Sequence, residues 1–140
     1  MPKPKQPGKK TLRRILYLRQ YGEELEAMIE KTVQDYLKAR MKIPVVMEEP
    51  KSPPVSYVVI EKTGEGGRDH IGDATIAIQS YAGSLYEASA LNEQVKRVMK
   101  DIAMLDQISK CQLNASYNFT DPETKRYRYQ AVFDIVFYEE

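Results

Sequence analysis

Tryptophan is absent from this chain of 140 residues, cysteine and histidine occur once each, and no apolar run approaches the roughly 18 residues of a membrane-spanning helix. Each scarcity removes a class of explanation. Cys111 has no second cysteine for an internal disulfide, so nothing supports an oxidising compartment. One histidine and one cysteine make no zinc set, and the carboxylates are scattered without the spacing of a metal loop, so neither metal nor cofactor is expected. The N-terminus is basic, but no apolar signal core follows it, and no secretion signal is read. Phenylalanine is sparse, three against ten tyrosines, which leaves most aromatic surface with a polar tip suited to subunit edges.

What is present has the balance of an ordinary soluble protein with one core, at 42% hydrophobic and 29% charged residues. Its organising stretch is residues 73–105. Ala74, Ile76, Ile78, Ser80 and Ala82 alternate with Thr75, Ala77, Gln79 and Tyr81, which predicts a strand with one buried side. Gly83 permits a turn, and Ser84 stands three residues before Glu87, the spacing of a reciprocal helix cap. Leu91, Val95, Val98, Ile102 and Leu105 then step by four and three, predicting a helix of about five turns whose apolar stripe faces a sheet.

Earlier in the chain, Leu12, Ile15 and Leu16 have helical spacing behind Thr11, and a firmer helix begins at Glu23 with Leu25, Met28, Ile29, Val33, Tyr36 and Leu37 on one face. Residues 43–49 read as an edge strand, and Pro50, Pro53 and Pro54 stiffen the connector behind it. A strand is predicted at 57–62, followed by a polar, glycine-rich tongue at 63–72 that returns the chain as a hairpin with a mobile tip. Cys111, Leu113, Ala115, Tyr117 and Phe119 alternate without a break with polar residues. After a turn at Asp121 and Pro122, so do Tyr127, Tyr129, Ala131, Phe133, Ile135 and Phe137, and the two strands are expected to form a hairpin. The last strand keeps apolar residues on its outer face at Val132, Val136 and Tyr138, a patch expected to be covered by the first helix or by another subunit. The order helix, strands, helix, hairpin predicts a single α+β domain, a mostly antiparallel sheet of four or five strands packed against helices.

Charge is unevenly placed. Seven of the 21 basic residues lie in residues 1–19, where there is no acid, so the rest carries 14 basic against 20 acidic side chains. Residues 1–22 are therefore set apart as a basic arm, rich in proline and expected to be solvated, from a domain at 23–140. The arm could instead touch nucleic acid or the acidic surface of a neighbouring copy, and whether Met1 or Met28 starts the working protein stays open.

No convergent reactive set emerges. His70 lies beside Asp69 in the tongue with no serine or cysteine nucleophile in reach, and Cys111 falls in the apolar phase of its strand. Gly64, Gly66 and Gly67 lack the spacing of a phosphate loop and lead into a strand, whereas such loops open a helix. Arg126 and Arg128 alternate with Tyr127 and Tyr129. Period two sends them to opposite faces, solvated arginines above packed tyrosines, which argues against a basic and aromatic platform for single strands.

The run from Tyr57 through Lys100, with Tyr-Val-Val-Ile-Glu-Lys-Thr-Gly-Glu-Gly-Gly and Ala-Thr-Ile-Ala-Ile-Gln-Ser-Tyr-Ala-Gly-Ser-Leu-Tyr-Glu-Ala-Ser-Ala-Leu-Asn-Glu-Gln-Val, resembles the tail terminator (tail completion) proteins of long-tailed bacteriophages. The preceding helix, the 50–54 connector and the closing hairpin stand in that family's order, over residues 28–140. The basic extension before Met28 departs from the family's usual short start. The resemblance rests on pattern and order, and carries no catalytic signature. It implies a structural virion protein of the tail and neck, assembled in the host cytoplasm as a ring of typically six copies. Such a ring ends the tail tube, meets the head's neck connector proteins, lets DNA pass, and is not an enzyme. Ring closure needs two different complementary patches per copy. The candidates are the outer face of the last strand (Val132, Asp134, Val136, Tyr138) and the first helix for subunit contacts. For tube or neck the candidate is the tongue (Gly64, Gly66, Gly67, Arg68, Asp69). The alternatives are a nucleic-acid-binding module using the basic arm and, further off, a small enzyme around His70.

Overall fold

The computed structural model describes residues 28–139. The expected basic arm, its short helix, and residues 23–27 of the longer helix lie outside them, while Met28, expected inside that helix on its apolar face, is instead its extended, exposed N-cap. Helix α1 (Ile29–Arg40) puts Ile29, Val33, Tyr36 and Leu37 on one buried face and ends with Lys38 and Arg40 in its last turn, where cations offset the partial charge of unpaired carbonyls. Two side-chain bonds fix its position. Tyr36 Oη donates to the Val98 carbonyl at 2.6 Å, and Gln34 Nε2 donates to the Val45 carbonyl at 2.9 Å.

Five strands follow: β1 (Val45–Val46), β2 (Tyr57–Arg68), β3 (Ile71–Tyr81), β4 (Ile108–Asn118) and β5 (Arg128–Tyr138). They form one sheet in the order β1-β2-β3-β5-β4, antiparallel throughout except for the short parallel β1–β2 pair. The α+β class, the single domain and the element order agree with the sequence reading. Helix α2 (Leu85–Met99) starts where expected, with Ser84 Oγ accepting from the Glu87 amide at 3.1 Å. It stops at Met99, short of Leu105, and a 3₁₀ turn (Ile102–Met104) carries the chain round into β4. The spacing misled because residues three apart share a face in both helix types, so Ile102 reaches the core from the tighter turn.

Both helices pack on the same face of the sheet. There Ile60, Ala74, Ile76, Ile78, Ala131, Phe133, Ile135 and Phe137 meet Val33, Leu37, Leu91, Val95 and Met99 in one core. Burial of such side chains contributes about 1.5–3 kcal/mol each and dominates the fold. The described part of the first helix therefore does not cover the outer face of β5, contrary to one expectation. On that outer face of β5, Val132 and Val136 are half-buried and Tyr138 is exposed, while Ala77, Gln79 and Tyr81 on the same face of β3 are buried.

Two further departures shape the sheet. The 63–72 tongue continues the ladder, because β2 runs to Arg68 and β3 resumes at Ile71. Asp69 (φ 54°) and His70 (φ 67°) make a two-residue turn with both central residues left-handed, the geometry that matches strand twist. Gly72 sits under the Phe137 ring, where an added Cβ would lie 2.6 Å from ring atoms. In β4 the unbroken alternation is broken by a bulge between Leu113 and Ala115. Cys111 and Leu113 are opposite Ile135 and Phe133 on the helix face, whereas Ala115 and Tyr117 are opposite Val132 and Gln130 on the other.

Candidate functional site

The sequence-predicted tongue and outer-strand residues come together at one end of the sheet. Gly64, Gly66, Gly67 and Arg68 of β2 pair with Thr75, Asp73, Gly72 and Ile71 of β3. The same β3 residues pair on their other side with Asp134, Val136, Phe137 and Tyr138 of β5. Two groups read separately from sequence thus form one continuous surface. Asp69 and His70 close its tip, and the His70 carbonyl accepts from the Glu139 amide at 2.6 Å. Val132 lies further in, between Ala77 and Ala115. The apolar patch expected on β5 is divided at Asp134, whose carboxylate accepts from Thr75 Oγ1 at 3.3 Å and Asn114 Nδ2 at 2.8 Å.

Further along this face an amide ladder crosses four strands. Gln79 Nε2 donates to Gln130 Oε1 at 3.0 Å and to Glu61 Oε2 at 3.4 Å, and Gln130 Nε2 donates to Tyr117 Oη. Both glutamines are 8% exposed, so these bonds replace water that the side chains have lost.

At the opposite end of the sheet from the tongue, Tyr57 and Tyr81 stack with ring centroids 4.6 Å apart and planes at 2°. Arg126 bonds to the Glu49 carboxylate and to Tyr57 Oη, and its guanidinium lies 4.9 Å from the Tyr81 ring centroid. Arg128 donates to Tyr81 Oη at 2.7 Å and packs 4.4 Å from the Phe119 ring centroid. The reading of solvated arginines is thereby corrected. Period two does separate them from Tyr127 and Tyr129, but neighbouring strands supply other aromatics to the same face. Tyr57 and Tyr81 offer no open face for a base to stack on, being 1% and 6% exposed. Burial, with the neighbouring Tyr81 hydroxyl second, pushes the Tyr57 hydroxyl up to about 12. Beside the cluster lies a cleft of about 240 Å³ walled by Pro53, Pro54, Val55 and Tyr127, with Lys125 and Arg126 at its polar side.

The groups once weighed for chemistry stand apart. His70 is at an exposed turn, while Cys111 is half-buried on the helix face, where burial and then the Asp134 carboxylate push its thiol up to about 11. Such a thiol is protonated at neutral pH and a poor nucleophile. Among the described residues no group of three or more His, Cys, Asp or Glu is placed to hold a metal ion, and no helix is long and apolar enough to cross a membrane. Comparison with known proteins finds no matching family model and no matching curated sequence.

Proposed function

We propose that this chain is a structural subunit of a ring that ends a bacteriophage tail tube and joins it to the head, with copies of itself, the tail tube protein and a neck connector protein as partners. The reading begins from the resemblance of residues 28–140 to tail terminator proteins. The observation that carries it is the inequality of the two flanks of the sheet. One flank is the eleven-residue strand β4, with Leu113, Tyr117 and Phe119 at or just beyond it exposed; the other is the glycine-rich half of β2. A copy with unlike flanks makes head-to-tail contacts, and such contacts close into rings when the rotation per copy divides a full turn.

The test is tube capping. Purified protein added to polymerising tail tube protein stops elongation and sits at one tube end under the electron microscope. Replacing Arg68 and Asp69 together weakens attachment to tube or neck while circular dichroism stays native. Tubes that grow to the same length with or without the protein would contradict the proposal. The alternative, a nucleic-acid-binding module using residues 1–19, instead requires DNA binding that weakens steeply with salt and vanishes when those residues are deleted.

A further inference from the structure

We infer that neighbouring copies join edge to edge through the sheet, the 110–112 segment of β4 in one copy pairing antiparallel with the 64–66 segment of β2 in the next. The inference deepens the ring reading and rests on it.

Both edges are open among the described strands. Among the described strands, 110–118 of β4 pair only with β5, and β1 occupies the outer side of β2 only at Val58 and Val59, leaving 60–68 with β3 alone. Their directions suit each other. β2 is antiparallel to β3, β3 to β5 and β5 to β4, so β4 runs opposite to β2. An identical copy placed alongside, without being turned over, therefore brings its β2 antiparallel to this β4. Helices then stay on one side of the continued sheet.

The regular parts of the two edges stand at the same height. Reading across the pairs, Gln112 aligns with Asp134, Thr75 and Gly64, while Cys111 aligns with Ile135, Ala74 and Glu65. Bulges interrupt β4 between Ile108 and Lys110 and again between Leu113 and Ala115, and β2 between Lys62 and Gly64. Between the β4 bulges and beyond the β2 bulge, 110–112 stand level with 66–64, residue for residue. Irregularities normally protect an edge from pairing, so two matching uninterrupted segments mark where pairing remains allowed.

The side chains are complementary as well. Gly64, Gly66 and Gly67 present no side chain, and a bulky neighbour on the adjoining strand can lie over them, as Phe137 lies over Gly72 within the sheet. On β4, Leu113 is 46% exposed beside a hollow of about 70 Å³ lined by Lys96, Met99, Lys100, Cys111 and Phe133. Glu65 shares the helix side of the sheet with that hollow, because it pairs with the core residue Ala74. A neighbour's Glu65, paired with Lys62 in its own copy, thus brings a second carboxylate toward Lys100 and toward Lys96, which Glu93 already pairs.

The native cysteine supplies the test. Within one copy, positions 65 and 111 are three strand spacings apart, about 14 Å, beyond the roughly 7 Å that a disulfide can span. Between copies they face each other. Glu65→Cys, oxidised with diamide, yields a ladder of covalent multimers on a non-reducing gel, and Cys111→Ser in the same background removes it. Amide exchange in the unmodified protein gives a second reading: the edge amides within 64–66 and 110–112 slow roughly a hundredfold in the assembled fraction relative to the dissociated one. Gly64→Val, whose new Cβ meets nothing nearer than 3.9 Å, keeps the fold and weakens assembly at least tenfold. A ring of the expected mass with no ladder and unprotected edges would overturn the edge pairing and leave the ring intact. A chain that stays monomeric would overturn the ring reading itself.

Discussion

The two faces of the sheet are built on different physics. Under the helices the face is mostly hydrocarbon, with Ile76, Ile78 and Ile135 fully buried and Ser80 and Asn92 as buried polar exceptions. On the other face, tyrosines and arginines, a glutamine ladder, and Thr75 with Asp134 and Asn114 occupy successive rows. The first face is held by burial, which tolerates exchange of one apolar group for another of similar size. The second is held by bonds between named atoms, which fail when one partner is removed. The larger core lies on the first face, while on the second a smaller buried cluster of Tyr57, Val59 and Tyr81 and the bonds beside it also contribute and set the arrangement of surface groups.

The contrast breaks most visibly at the core. Ile78→Ala on the helix face costs about 2–5 kcal/mol, whereas Val132→Ala on the opposite face costs under about 1.5 kcal/mol, read from urea denaturation midpoints. Equal losses would mean that the second face is as tightly packed as the first.

The glutamine ladder sharpens the contrast. Gln79→Leu alone strands the buried Gln130 and costs about 1–3 kcal/mol, while Gln79→Leu together with Gln130→Leu recovers much of that loss. Additive losses would show that the two amides do not act as a pair.

Smaller effects come from the turn and from pH. His70→Gly relieves a left-handed backbone and raises stability by up to about 1 kcal/mol, visible as a higher melting temperature. Tyr57 keeps its proton in the folded chain to about pH 12, while the unfolded chain releases it near 10. Its contribution is whole below pH 10 and is lost as pH rises through 12. Tyr57→Phe therefore flattens the alkaline fall in stability between those values, besides lowering stability at pH 8 by removing its bonds to Glu49 and Arg126.

Much of this architecture was legible in the residues themselves. The phase of β5, with Ala131, Phe133, Ile135 and Phe137 inward, follows from strict alternation, and the start of α2 follows from Ser84 and Glu87. The β4 phase was not legible past Leu113, because a bulge inserts one residue without any composition signal and turns Ala115 and Tyr117 to the other face. The tongue reads as loop because glycines have low strand propensity. Its ladder is imposed by the long β3 beside it. The Arg126 and Arg128 cluster escaped because its aromatic partners come from β2, β3 and the segment after β4, which no single-strand period brings together. The place of Gly64 and Gly66 on a sheet edge level with 110–112 was not legible, because it needs the pairing register of all four long strands.

Sedimentation analysis of the full-length chain at micromolar concentration, alone and with tail tube protein, bears most directly on the idea that its working surfaces are made for other protein subunits. A closed species near six times the 16.1 kDa chain mass, formed alone or on meeting the tube, is the expected result. A single species at 16.1 kDa under both conditions would contradict it.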